Sequence, residues 1–184
     1  SDAGVSEALK KVLEPKGSRI TIGDGAYCDI WLRAGIPAGK SDALGAVYTT
    51  MGESVLVGVI SFARATTDFR GQAVKPGTYT LRYAVHPADG NHLGISPIRD
   101  FLAMVPVGSD QNPEAQPKFE ELMKMSAKVA GTNHPAVLSL VQAEGAAAPK
   151  VDQDGSHVIF SSNANTQSGS DLPIAFIVKG IAEH

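Results

Sequence analysis

The side chains with the greatest chemical capacity crowd into residues 86–100, which carry His86, Asp89, Asn91, His92, Ser96, Arg99 and Asp100. Neutral imidazole nitrogens are good ligands for Zn or Cu. His134, in an Asn-His-Pro turn, could join His86 and His92 if loops converge at one end of a β-fold, with Asp89 or Asp100 completing the set. Against that, the His-x5-His spacing matches no standard ligand pattern, and no second close pair supports it. A plainer assignment ends a strand at His86, turns the chain at Asp89-Gly90-Asn91 and bonds His92 to that turn's backbone. Arg99 and Asp100 then have two uses. Exposed, they form an ion pair worth about 0–1 kcal/mol. Buried beside His86, they set the tautomer and orientation of its ring.

Other chemistries find less support. Asp152-x-Asp154-Gly155 resembles the opening of a calcium loop, but residues 156–161 supply no closing glutamate, so a hairpin turn is expected. There is no G-x-S-x-G elbow, and Ser96 is followed by Pro97 where a helix start should offer N–H groups. Glycosidase chemistry needs two carboxylates across a cleft; Asp24, Glu53, Asp89 and Asp100 are available, and nothing in the sequence pairs them. Gly39-Lys40-Ser41 lacks the earlier glycine of a phosphate loop, because position 34 is alanine. Cys28 has no histidine near it in sequence and is expected to be a small buried apolar residue. Trp31 lies on the more polar face of its strand, where it either closes over a neighbouring loop or offers a ligand a stacking surface.

The elements that must position these groups are mostly strands. Lys75-Pro76-Gly77 is a turn. In residues 78–86, Tyr79, Leu81, Tyr83 and Val85 alternate with Thr78, Thr80, Arg82 and Ala84, the period of a strand. Residues 100–107 form a second, more continuously apolar run that Pro106 ends or places at an edge. The loop 86–100 is therefore slung between two strands. Further strands are expected at 19–22, 26–33, 54–63, 136–141, 157–161 and 172–179, with a short one at 46–49. In the second of these, Cys28, Ile30 and Leu32 form the core face. Residues 5–14 and 118–130 carry helical periodicity. Residues 144–150 read as a linker-like loop, 162–171 as a polar mobile loop and 1–4 as disordered. The sum is a single mainly-β domain over 1–184: an antiparallel β-sandwich with an N-terminal helix and an inserted helix at about 118–130.

Composition narrows the partners. With 43% hydrophobic and 19% charged residues the chain is of ordinary globular type. A net charge of -3 and scattered basic residues argue against nucleic acid. No apolar run approaches the roughly 20 residues that span a bilayer, so no transmembrane segment is expected. One cysteine excludes an internal disulfide framework. The start Ser1-Asp2-Ala3-Gly4, without methionine, fits a processed exported protein, periplasmic or extracellular, and equally a trimmed chain.

The run Pro76-Gly77-Thr78-Tyr79-Thr80-Leu81 is similar to a strand signature of secreted Ig-like and prealbumin-like β-sandwiches, among them carboxypeptidase-regulatory and collagen-adhesin B-type repeats. That resemblance covers six residues and implies a sandwich strand after a turn, with no activity. GTYTLRY, HPADGNHLG, RDFLAMVP, the following helix and GTNHPAVLSL together resemble a family of exported bacterial single-domain proteins, which implies export and leaves activity open. The expectation is a non-enzymatic binding module for a small ligand, glycan or protein partner. Its site is the 86–100 loop (His86, Asp89, His92, Arg99, Asp100), helped by the 132–135 turn, with Trp31 as a further ligand-binding candidate. Such a module should show an apolar or aromatic concavity near Trp31 or Tyr83. The alternatives are a metal-binding protein or metal-dependent enzyme using His86, His92 and His134, and a structural domain of a cell-envelope assembly.

Overall fold

In the computed structural model, residues 4–41, 43, 45–87, 98–145 and 147–182 are described. Helix α1 (Glu7–Val12) is capped by the Ser6 side chain, which accepts from the Leu9 N–H at 3.2 Å. Strands β1 (Ser18–Ile22) and β2 (Gly25–Leu32) form a hairpin around Gly23, held at φ +69, a conformation glycine enters without steric cost. β3 (Leu56–Phe62) leads into a small ribbon of β4 (Thr66–Thr67) and β5 (Ala73–Val74). β6 (Gly77–Val85) and β7 (Asp100–Pro106) flank the histidine-bearing loop as expected. Helix α2 (Phe119–Ala127) follows, then β8 (Ala136–Val141), β9 (Lys150–Asp154), β10 (His157–Asn165) and β11 (Asp171–Lys179).

Nine strands join in one sheet of order β1-β2-β3-β6-β7-β8-β11-β10-β9, and every ladder is antiparallel. The protein is mainly β, as expected, and its sheet curls into a nearly closed, barrel-like form. β8 turns the corner: its Ala136–Ser139 portion pairs with β7, and Leu140 and Val141 pair with β11. The two ends of the sheet, β1 and β9, form no ladder with each other. Beyond them, Ile36 and Thr166 make one isolated parallel bridge between the continuations of β2 and β10. No helix among the described residues is long and apolar enough to cross a membrane.

The two-residue period sends Ile30, Leu81, Leu102, Leu138, Phe160 and Phe176 into one interior cluster. The outer face is also covered in places. Phe101, Ala103 and Val105 of β7 pack beneath Leu122 of α2, whose apolar residues recur at helical spacing. Leu9 of α1 packs on Leu56 and Val107. The outer face of β6 carries a buried charge: Arg82 is 0% exposed and Asp110 is 3% exposed. Arg82 Nε and Nη2 grip the Asp110 carboxylate at 2.6 and 2.8 Å, and Nη1 and Nη2 reach the Ser54, Ala115 and Asn112 carbonyls at 2.8, 2.6 and 2.9 Å. All five N–H groups of that guanidinium are used, the condition under which a buried ion pair is tolerable.

Three expectations need correction. Residues 46–49 are turn and loop, because the Val47 and Tyr48 N–H groups serve the Asp100 carboxylate instead of a ladder. The linker-like loop at 144–150 runs into β9, an exposed edge strand without apolar alternation to announce it. Residues 162–165 extend β10, with Ser162 and Ala164 buried on the inner face; their small polar composition disguised a strand period. The Asp154-Gly155 segment is the hairpin turn between β9 and β10, with Gly155 at φ +60.

Candidate functional site

At one end of the sheet, β6 and β7 bring His86, Arg99 and Asp100 together in sequence register but send them different ways. The His86 N–H donates to the Arg99 carbonyl at 2.8 Å. Its ring, 4% exposed, stacks on Phe101 with centroids 4.1 Å apart. Asp100 points to the opposite, inner face. Its carboxylate accepts from the Val47 N–H at 3.0 and 3.1 Å, the Tyr48 N–H at 2.8 Å and the Tyr83 hydroxyl at 2.6 Å. Asp100 therefore neither orients His86 nor pairs with Arg99; it anchors the 47–48 backbone across the barrel end. Arg99 lies over Gly45, where an added Cβ would stand 3.3 Å from its Cζ. Burial, then Asp100, pushes the Tyr83 phenol far above its ordinary value. Tyr48 is pushed up to about 12, chiefly by burial. Both phenols stay protonated donors at neutral pH.

Asp89 and His92 lie outside the described residues. His134 sits exposed in the 132–135 turn, its N–H donating to Thr132 Oγ1 at 3.1 Å. Ala136 pairs with Met104, while His86 is bonded to Arg99. Arg99 and Met104, the β7 positions beside His86 and Ala136, are about 17 Å apart along the strand, so His86 and His134 belong to opposite ends of β7, too far apart to share an ion held at about 2.0–2.1 Å. Among the described residues no group of three or more His, Cys, Asp or Glu side chains could hold a metal ion. Cys28 is 2% exposed, and burial pushes its thiol up to about 12.

Trp31 stands elsewhere. Through Val59 and Thr80 it is level with Val105, so the 86–100 loop belongs to the far end of β7. It projects from the outer face of β2, where the chain after α1 passes over it. Glu14 N–H donates to the Leu32 carbonyl at 2.8 Å, and Leu13 bridges to Arg33. Gly17 is required for this crossing: a Cβ there would lie 2.5 Å from the indole Nε1. The indole does close under a neighbouring segment, and a cavity of about 200 Å³ remains between them. Val5, Leu13, Trp31 and Val59 give it apolar walls, and Lys10 and Glu14 stand at its polar rim. An aromatic concavity near Trp31 was the expectation for a binding module.

Sequence reasoning missed Arg33, the residue that directly follows β2. It is 1% exposed, with Nη2 donating to Glu114 Oε1 at 2.8 Å and Nη1 to the Pro113 carbonyl at 3.2 Å. Its Nε has no hydrogen-bond partner among the described residues. Burial draws this guanidinium below its ordinary value, Glu114 opposes that, and nearby Arg82 adds to it. Arg33 lines two concavities, of about 550 and 300 Å³. Its partners come from a loop some 80 positions later, at |i−j| of 80 and 81, so no local motif could have marked it. Compared with protein-family models, with curated proteins and with solved structures, the chain finds no match.

Proposed function

We propose that the protein is a non-catalytic binding module that holds a glycan by one sugar ring in the cleft between α1 and Trp31. The observation that carries this reading is the indole wall of that cleft, opposed by apolar side chains and rimmed by Lys10 and Glu14. A pyranose offers the matching chemistry: one apolar face to stack on an aromatic ring, and hydroxyls around its edge. At about 200 Å³ the cleft suits a single ring, since drug-sized ligands occupy about 300–1,000 Å³. The buried carboxylates have other duties: Asp68, Asp100 and Asp110 are engaged by backbone, side-chain amide, hydroxyl and guanidinium donors. We place the protein outside the cytoplasm, in keeping with the resemblance of the motifs within residues 77–140 to exported proteins. We also read the curled sheet as two layers that share β8 at their corner, a sandwich; the division of β8 between β7 and β11 supports that reading.

The chain has one tryptophan, so its fluorescence reports on this cleft alone. Titration with a panel of mono- and oligosaccharides is expected to give a saturable change in Trp31 emission, lost in Lys10→Ala. A panel that leaves the emission unchanged would end the proposal.

A further inference from the structure

The two buried arginines are treated unequally by the fold. Arg82 presents its Nε/Nη2 edge to both oxygens of Asp110, at 2.6 and 2.8 Å. Arg33 presents the same edge to a single oxygen of Glu114, on Nη2 at 2.8 Å, and leaves Nε without a partner among the described residues. A buried donor without a partner costs more than an exposed ion pair returns. The Glu114 side chain is 64% exposed, so it is a counter-ion that water can reach and a competitor can replace. Among the described residues that line the concavity of about 550 Å³ beside them there is no other charged side chain; Gly35, Asn165, Thr166 and Gln167 contribute to its polar wall. A planar carboxylate matches the Nε/Nη2 fork, as Asp110 demonstrates on Arg82.

We propose that Arg33 anchors a binding site for a small carboxylate. The ligand's two oxygens take Nε and Nη2 together, Glu114 swings into solvent, and the rest of the molecule lies along residues 165–167. This site stands apart from the Trp31 cleft and does not depend on the glycan reading.

The test uses the intact protein with succinate as probe, at constant ionic strength, followed by the side-chain Nε–H signals of its arginines in proton–nitrogen NMR. The expected result is a saturable shift of the Arg33 Nε–H signal while that of Arg82 stays in place. Glu114→Gln, a change at an exposed side chain, removes the competitor and is expected to tighten succinate binding by up to about fivefold, the upper worth of an exposed ion pair. An unmoved Arg33 signal in both proteins overturns the proposal. So does a shift with inorganic phosphate but none with succinate, or succinate binding that Glu114→Gln weakens.

Discussion

Cys28, Tyr48 and Tyr83 are acids whose ionisation the fold suppresses. Burial pushes Cys28 and Tyr48 up to about 12, and Tyr83 higher still beside Asp100. In the unfolded chain these groups lose protons near about 8.5 and 10. The folded state then binds more protons than the unfolded one above those values, so stability falls as pH rises. Unfolding free energy from urea titration is expected to be level for these groups below about pH 8 and to decline from about pH 9 upward. Cys28→Ser should remove the earliest part of that decline. A stability that stays constant to pH 10.5 would contradict the burial assigned to all three. The same reasoning keeps Cys28 unreactive toward thiol reagents until the chain unfolds.

Among the elements, the segment 107–117 has one 3-10 turn, Val107–Ser109, and is otherwise held by long-range contacts. It is fastened to the outer face of β6 by Arg82, which holds Asp110, Asn112 and Ala115 at once. Asp110→Ala leaves that guanidinium buried against carbonyls alone and is expected to cost about 3–5 kcal/mol. Chemical denaturation measures it directly, and a cost below 1 kcal/mol would mean that the segment is held by something else. Such long-range ties separate what the sequence discloses from what it conceals. Alternation over 78–86 disclosed β6, and the periodic apolar residues after Lys118 disclosed α2, because both signals are local. β9 was concealed since Lys150–Asp154 is exposed on every residue. Asp100 and Arg33 were visible as residue types, but their roles rest on partners at |i−j| of 52 and 81. The cleft at Trp31 was half visible: the indole's place on a polar face was readable, and the chain that walls it was not.

At the scale of the whole molecule, strand parity governs what the sheet can do. Antiparallel neighbours alternate in direction, so in a sheet of nine the first and last members run the same way. β1 and β9 therefore lack the geometry for the antiparallel ladder that joins every other pair, and among the described residues one bridge, Ile36–Thr166, links the continuations of β2 and β10. The molecule behaves as a clasp with one hook. Among the described residues neither edge has an outer ladder partner, and charged side chains stand on both: Arg19 on β1, Lys150, Asp152 and Asp154 on β9. Hydrogen exchange should map this asymmetry, with β6 and β7 exchanging slowest and β1 and β9 fastest. Equal protection across all nine strands would show that the ring is shut. An odd number of strands thus gives an otherwise continuous wall a permanent line along which it can open.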